Sequence, residues 1–182
     1  MTGKKSVVLG VTGGIAAYKA ADLCSKLTAQ GYDVNVVMTA SARKLVSEQL
    51  FFTLSRNPVL CDLFEVPDWK PGHIALADKA KLLIVAPATA NFLGKLANGI
   101  ADDALTTTAL AFHGKTLVAP AMNTHMWQHP AVQKNCGILR SWGVEFVGPA
   151  TGNLACGIKG EGRMAEVSEI LDKVNSLYPG IQ

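Results

Sequence analysis

The chain has 182 residues, enough for one domain with a full hydrophobic core and too few for two ordinary domains. Hydrophobic residues make up 49% of the chain, yet no apolar run reaches the roughly 18 residues that a membrane-spanning helix needs. The net charge of +3 is dispersed and the four cysteines form no C-x-x-C pair, which argues against nucleic acid binding, a metal site and a disulfide framework. We therefore expect a soluble, cytoplasmic protein with a single domain over residues 1–182.

The first predicted elements are a buried strand and a helix, separated by glycines. Residues 6–11 are small or β-branched, which is typical of a strand covered on both faces. Gly13 and Gly14 end this run, and a helix over residues 15–30 follows. Its apolar residues recur near a 3.6-residue period at Ile15, Tyr18, Leu23 and Leu27. The N–H groups at the start of such a helix favour an anion, although the turn lacks the G-x-G-x-x-G fingerprint and close packing is an alternative role for its glycines.

The rest of the chain alternates between short apolar strands and helical segments. Further strands are predicted at residues 34–38, 82–86, 116–119 and 144–147. Helices are predicted at residues 42–50, 92–98, 103–112, 130–143 and 165–177. Because strands that alternate with helices form parallel sheets with right-handed connections, the sequence predicts a three-layer, doubly wound α/β fold.

Polar side chains follow several strands, at the sheet edge where open α/β proteins bind their ligands. Asn123 comes after the proline that stops the fourth strand, and Thr89 and Asn91 follow the third. His73 directly follows a loop that contains prolines and is a candidate catalytic residue. A lone histidine is also typical of a solvated surface. Ser41 follows the second strand, where helix capping is the alternative role.

The sequence changes character after residue 149. Residues 151–164 contain four glycines and almost no periodicity, which predicts a mobile flap. Cys156 lies in this segment, although cysteines without a partner are usually core residues. For Arg163 the sequence leaves open whether it contacts a ligand or is solvated.

Five motifs taken together resemble the flavin-dependent cysteine decarboxylases. The motifs are GVTGGIAAYK at residues 10–19, HIAL at 73–76, APATAN at 86–91, PAMN at 120–123 and ACG at 155–157. The resemblance covers nearly the whole chain, and the combination of the histidine, the PAMN stretch and the cysteine is specific. Within the family, the likeness is greatest to enzymes that act on 4'-phosphopantothenoylcysteine in coenzyme A biosynthesis.

This resemblance implies a flavodoxin-like fold, FMN as cofactor, a small-molecule substrate and a homo-oligomer, either a trimer or a larger assembly such as a dodecamer. It implies that His73 is the catalytic base, that Asn123 holds the substrate carboxylate and that Cys156 is the proton donor. Met126 and Ala155 are implied at the substrate beside Asn123. The residues implied at the cofactor are Gly13, Gly14, Ile15, Ser41, Thr89, Ala90, Asn91, Phe92 and Ala121.

The chemistry of such a reaction explains these residue types. Direct loss of carbon dioxide from the substrate's cysteine would leave an unstabilised carbanion. Oxidation of the carbon that bears sulfur creates a thioaldehyde, which can accept the electrons of the departing carboxylate. Asn123 can donate hydrogen bonds to that carboxylate without neutralising it, whereas a lysine would stabilise the ground state and oppose its loss.

Two alternative functions stay open. The first is a peptidyl-cysteine decarboxylase of lantibiotic maturation, which performs the same oxidation on a precursor peptide. The second is a flavin-binding regulatory subunit without turnover, which we expect to carry a long acidic tail that this sequence lacks. A flavin prenyltransferase shares the fold, but the PAMN stretch and the cysteine flap disfavour it. The sequence does not decide between a stand-alone enzyme and a piece of a fusion with the enzyme that makes the substrate.

Overall fold

The computed structural model describes residues 5–64, 72–155, 157 and 159–178. The strands within these residues are β1 (Ser6–Val11), β2 (Asp33–Met38), β3 (Leu82–Ala88), β4 (Lys115–Pro120), β5 (Glu145–Phe146), β6 (Ala150–Asn153) and β7 (Lys159–Arg163). The α-helices are α1 (Ala17–Ala29), α2 (Glu48–Ser55), α3 (Gly72–Lys79), α4 (Ala90–Ala97), α5 (Ala104–Ala111), α6 (Thr124–Gln128), α7 (Pro130–Ser141) and α8 (Val167–Leu177). None of the described helices is long and apolar enough to cross a bilayer.

Strands β1 to β5 form one sheet in the order β2-β1-β3-β4-β5, and each neighbouring pair is parallel. This confirms the predicted doubly wound α/β fold, and the strand order is the flavodoxin-like one. The direction of winding reverses between β1 and β3. Because the loops after these two strands diverge toward opposite faces of the sheet, they leave a crevice at its carboxyl edge.

Helices cover the sheet on both faces, which explains why β1 and β3 are buried along their whole length. One face packs against α1, α8 and Phe51 of α2, and the other against α4, α5 and α7. Helix α5 lies very close to the sheet. A Cβ on Gly10 of β1 would come 2.5 Å from a methyl group of Leu105 in α5. A rigid sheet of this kind holds the loops at its edge in place.

Helix α3 is fixed to the sheet at its C-terminal end. The ammonium group of Lys79 lies 2.7 Å from the carboxylate of Asp33 at the start of β2, and the amide of Asn57 donates to the same carboxylate at 3.0 Å. Burial alone would raise the pKa of Asp33, but these hydrogen bonds, one from Asn35 and the charge of Lys79 outweigh it and lower the pKa to about 2.

The N-terminal end of α3 lies at the β2 edge of the sheet. A Cβ on Gly72 would contact the side chain of Leu60 at 3.4 Å, and Leu60 forms a parallel bridge to Val37 of β2. His73 therefore stands at the carboxyl edge of the sheet on its β2 side, and its Nδ1 atom is buried without a hydrogen-bond partner among the described residues.

Helix α1 differs from its prediction. It begins at Ala17 rather than at residue 15, and Ile15 and Tyr18 are 65% and 64% exposed instead of lying in the core. The residues that α1 buries include Ala20 and Leu23. Periodicity placed Ile15 and Tyr18 on the core side because they are apolar, but their apolar surface faces the crevice instead.

The helix predicted for residues 42–50 is wrong. That stretch forms a short 3-10 turn, Ala42–Lys44, and then enters α2, whose N-cap is Ser47. Helix α5 begins at the capping box of Asp103 and Thr106, so Asp103 is its N-cap. The helix start predicted at residue 42 is wrong because Ser47, whose hydroxyl accepts from the N–H of Gln49, caps α2, whereas Ser41 makes no side-chain capping hydrogen bond.

The glycine-rich segment after residue 149 forms a hairpin, where the sequence predicted no regular structure. Strands β6 and β7 pair antiparallel, with Gly152 opposite Gly160 and Asn153 opposite Lys159. Main-chain hydrogen bonds hold this pair, so it needs none of the apolar alternation that marks a strand in sequence. The predicted flap residue Cys156 lies outside the described residues.

Candidate active site

A cleft of about 580 Å³ lies at the carboxyl edge of the sheet, where the winding reverses. Small-molecule and cofactor sites have volumes of about 300 to 1,000 Å³, so the cleft is large enough for either. Its wall is formed by the turns that follow β1, β3 and β4, by the start of α1 and by the β6–β7 hairpin. Nine residues predicted at the site from the sequence lie on this wall: Gly13, Gly14, Ile15, Thr89, Ala90, Ala121, Asn123, Met126 and Ala155.

Thr12 ties the turn after β1 to the turn after β3. Its hydroxyl donates to the carbonyl of Pro87 at 2.7 Å and accepts from the main-chain N–H of Thr89 at 3.2 Å. The side chain is buried, so both hydrogen bonds are shielded from water and fix the spacing between the ends of β1 and β3. Sequence analysis missed this residue. The only signal available was a hydroxyl directly after a buried strand.

The glycines of the turn after β1 make room for a ligand and allow close contact with the ends of β2 and β3. A Cβ on Gly13 would collide with the side chain of Ser41, and a Cβ on Gly14 would lie 3.4 Å from the ring of Pro87. Helix α1 then begins without a side-chain hydrogen bond at its N-cap, Ala16. Two of its first N–H groups, those of Ala17 and Lys19, donate to the carbonyls of Gly14 and Ala16, and the helix dipole favours an anion at this end of the cleft.

Asn123 is held by the short helix that it starts. Its Oδ1 atom accepts from the main-chain N–H of His125 at 2.8 Å, which makes Asn123 the N-cap of α6. The preceding residue, Met122, donates its N–H to the carbonyl of Gly162 at 2.9 Å. A side chain at position 162 would collide with the Met122 carbonyl, so a glycine is required for this contact between the PAMN turn and β7.

Charge on the cleft wall is confined to one place. Lys19 and Arg163 are the two charged side chains among the described residues of the wall, and each contacts Glu166, at 3.0 and 2.6 Å. The hydrogen bond from Lys19, and then the positive charges of Lys19 and Arg163, lower the pKa of Glu166. No group of three or more His, Cys, Asp or Glu side chains suited to a metal occurs in the described part of the chain.

Four predicted site residues do not line the described cleft. Ser41 packs against Gly13 from the next turn, and Asn91 is exposed on α4. The side chain of Phe92 is buried in the core beside α5, so only its main chain is near the turn after β3. His73 stands at the β2 edge of the sheet and does not contribute to the described wall. The roles implied for these residues stay predictions.

The fold and the cleft define a class: a flavodoxin-like, doubly wound α/β protein with a ligand cleft at the β1/β3 switch point. The sequence model of the family called Flavoprotein matches residues 1–178. The chain therefore belongs to the flavoprotein family.

Two curated relatives are similar over nearly all of this chain. The coenzyme A biosynthesis bifunctional protein CoaBC of Bacillus subtilis is 51% identical over 174 residues, which make up 94% of this chain and 42% of that protein. The probable phosphopantothenoylcysteine decarboxylase of Streptococcus mutans is 42% identical over 173 residues, which make up 93% of this chain and 97% of that protein. The chain thus spans less than half of the bifunctional relative and nearly all of the shorter one.

Solved structures confirm the fold. A PPC decarboxylase mutant complexed with pantothenoylaminoethenethiol superposes with a TM-score of 0.85 at 31% identity, covering 97% of this chain and 99% of that one. The FMN-dependent cysteine decarboxylase SpaF superposes with a TM-score of 0.81 at 33% identity, covering 93% and 94%.

Proposed function

We propose that the chain is an FMN-dependent decarboxylase that converts 4'-phosphopantothenoylcysteine to 4'-phosphopantetheine. One observation carries the proposal: a single cleft unites the glycine turn suited to the cofactor with Asn123, the amide suited to a carboxylate. The names of relatives at 51% and 42% identity support the same reaction. The proposal covers the decarboxylation alone, because the chain spans 42% of the bifunctional relative.

The residues of the cleft fit FMN. The positive end of the α1 dipole is suited to its phosphate, and Gly13 and Gly14 on the wall place no side chain at that end. The exposed apolar surfaces of Ile15 and Tyr18 suit a flat, largely apolar ring. When bound, FMN supplies a reversible oxidant for the carbon that bears the substrate thiol.

Asn123 is suited to hold the departing carboxylate. With Oδ1 engaged by the N–H of His125, Nδ2 is the end of the amide that donates. A neutral donor orients the carboxylate but leaves its negative charge in place, so the ground state is not over-stabilised. Met122, Met126 and Leu154 give the wall beside Asn123 an apolar surface.

His73 and Cys156 complete the proposed proton transfers. His73 accepts a proton from the substrate as it is oxidised, and Cys156 returns one as the product is reduced. Because His73 lies at the β2 edge and not on its own chain's cleft wall, we propose that each cleft receives His73 from a neighbouring copy in a homo-oligomer. The trimer or larger assembly implied by the resemblance is consistent with this arrangement.

A peptidyl-cysteine decarboxylase is the second candidate, favoured by the likeness to the solved structure of the peptidyl-cysteine decarboxylase EpiD, with a TM-score of 0.79. Identity to that structure is 25%, below the 42% and 51% of the coenzyme A relatives, so we prefer the small-molecule substrate. The test is to give the FMN-loaded protein equal concentrations of 4'-phosphopantothenoylcysteine and a peptide ending in cysteine, and to follow both by mass spectrometry. We expect loss of carbon dioxide from the small molecule first. Faster conversion of the peptide would overturn the assignment.

A further inference from the structure

We propose that Lys19 and Arg163, held together by Glu166, form the seat for the phosphate group of the substrate. The inference rests on the proposed function, which requires the cleft to take a cysteine derivative that ends in a phosphomonoester. The structure assigns no other described side chain of the wall a positive charge. The other described residues of the wall are uncharged and mostly apolar.

The two cations are brought together by one carboxylate. Lys19 Nζ lies 3.0 Å from Glu166 Oε2, and Arg163 Nη2 lies 2.6 Å from Glu166 Oε1. Two positive charges against one negative charge leave the cluster with a net charge of +1. Because both cations are already oriented by Glu166, little side-chain entropy is lost when an anion joins them.

Arg163 has hydrogen-bonding capacity that the described residues do not use. Its Nε atom is buried and has no hydrogen-bond partner among them. The side chain lies flat over β6, where a Cβ on Gly152 would come 3.0 Å from Nε. The side chain is 41% exposed on the cleft wall, where the rest of its guanidinium can donate to a phosphate oxygen.

Lys19 is also placed for this task. Its side chain is only 15% exposed, although lysines usually extend into water, and it reaches from the first turn of α1 to Glu166 at the N-cap of α8. Arg163 ends β7, so the cluster joins three elements around one side of the cleft. A phosphate bound here would tie the hairpin that carries Arg163 to the body of the domain.

The cofactor has its own phosphate, but a different donor set suits it. The N-terminal end of α1 and the glycine turn lie beside the cofactor residues, whereas Arg163 belongs to the hairpin with Asn153 and Ala155. The two sources share one chemistry, so the experiment must separate them.

The experiment compares Lys19→Gln and Arg163→Gln with wild type on matched ligands. Steady-state kinetics use 4'-phosphopantothenoylcysteine and its dephosphorylated form, pantothenoylcysteine, and calorimetry measures binding of 4'-phosphopantetheine and pantetheine. We expect each substitution to raise KM and Kd for the phosphorylated ligand by about 10- to 100-fold, as for the loss of one charge-assisted hydrogen bond, and to leave those for the dephosphorylated ligand unchanged. Arg163→Lys should recover part of the loss.

Lys26→Gln is the matched control for Lys19→Gln. Lys26 lies on the same helix and also pairs with a carboxylate, that of Asp22 at 2.7 Å, but it is exposed and away from the cleft. We expect it to behave as wild type with all four ligands.

Three outcomes would overturn the inference. If KM and Kd rise equally for the phosphorylated and the dephosphorylated ligand, the cluster has a structural role. If KM and Kd do not change for either ligand, the cluster has no role in binding. Loss of bound FMN, measured by its absorbance after gel filtration, would assign the cluster to the cofactor's phosphate. Failure of the proposed function would look different. The wild-type protein would then decarboxylate neither substrate, and if it still bound 4'-phosphopantetheine far better than pantetheine, the phosphate site would stand without the reaction.

Discussion

At the scale of single residues, Asn123 combines a structural task with a chemical one. It caps α6 through Oδ1 and lies on the cleft wall where the substrate carboxylate is proposed to bind. Asn123→Asp separates the tasks, because aspartate caps helices as well as asparagine does but repels a carboxylate. We expect thermal stability near that of wild type and a fall in kcat/KM of about 100-fold or more.

Asn123→Ala is the control for that prediction. It removes the cap as well as the donor, so we expect a similar loss of activity together with about 1 kcal/mol less stability in urea unfolding. Near-normal turnover in Asn123→Asp would contradict the role given to the amide.

Gly13 tests the cofactor cradle. In Gly13→Ala the new methyl group would meet the Ser41 side chain, so the turns after β1 and β2 must separate and the FMN site must deform. We expect FMN to bind at least about 10-fold more weakly, measured by fluorescence titration, for a loss of about 1.4 kcal/mol or more. Gly137→Ala is the control, since a Cβ there meets nothing within 4 Å on helix α7. That variant should bind FMN normally and gain up to about 1 kcal/mol of stability.

Residue types predicted the site better than periodicity did. Asn123 and the two glycines were predicted from an amide and a glycine turn after buried strands together with the resemblance of motifs, although each also has a structural role as a cap or a close contact. Thr12 was missed, because its two hydrogen bonds reach Pro87 and Thr89, more than 70 positions away in sequence. Ile15 was misplaced on the core side, because the sequence alone does not distinguish an apolar residue that faces a ligand from one that faces the core.

At the scale of elements, the contact that anchors α3 to β2 depends on pH. The pKa of Asp33 is about 2 in the folded protein, below its ordinary 3.8, so the folded state favours the ionised carboxylate. Its contribution to stability, at most about 2 kcal/mol, is complete above about pH 4 and is lost as the pH falls through 4 toward 2. Asp33→Asn should therefore lower the free energy of unfolding at pH 7 and differ progressively less from wild type below pH 4.

Asp22→Asn is the control for Asp33→Asn. Asp22 pairs with Lys26 at the same 2.7 Å separation, but both side chains are about half exposed. Exposed pairs contribute little, so we expect a change under about 0.5 kcal/mol in urea unfolding at pH 7. Equal losses in the two variants, or a constant difference for Asp33→Asn down to pH 3, would contradict the argument.

The elements themselves were predicted unevenly, for physical reasons. The buried strands β1 to β4 were found to within about two residues, because a strand covered on both faces is a continuous apolar run. The β6–β7 hairpin was not, since main-chain pairing and a glycine contact with Met122 hold it rather than apolar side chains. The predicted mobility of this segment as a flap stays a prediction.

At the scale of the whole molecule, the position of His73 makes a prediction about assembly. Neither His73→Asn nor Asn123→Asp should turn over alone, but a mixed oligomer contains clefts that combine an intact Asn123 with a neighbour's intact His73. Random assortment of equal amounts should restore roughly a quarter of wild-type activity after co-expression or subunit exchange. Activity no higher than that of the two variants alone would mean that His73 does not act between copies.

The fold of the whole molecule was predictable because alternation of strands and helices leaves few topologies. The strand order was implied only by the resemblance of motifs, since no local pattern records which strands are neighbours. The assembly, the cytoplasmic location and the single-domain organisation stay predictions.

The most direct test of the account removes FMN from the purified protein and adds it back in the presence of 4'-phosphopantothenoylcysteine. Carbon dioxide release and product mass are followed together. We predict no release without FMN, release that rises with FMN until the cleft is saturated, and a product lighter than the substrate by one molecule of carbon dioxide. Release that is independent of FMN, or an FMN-saturated protein that leaves the substrate unchanged, would contradict the account.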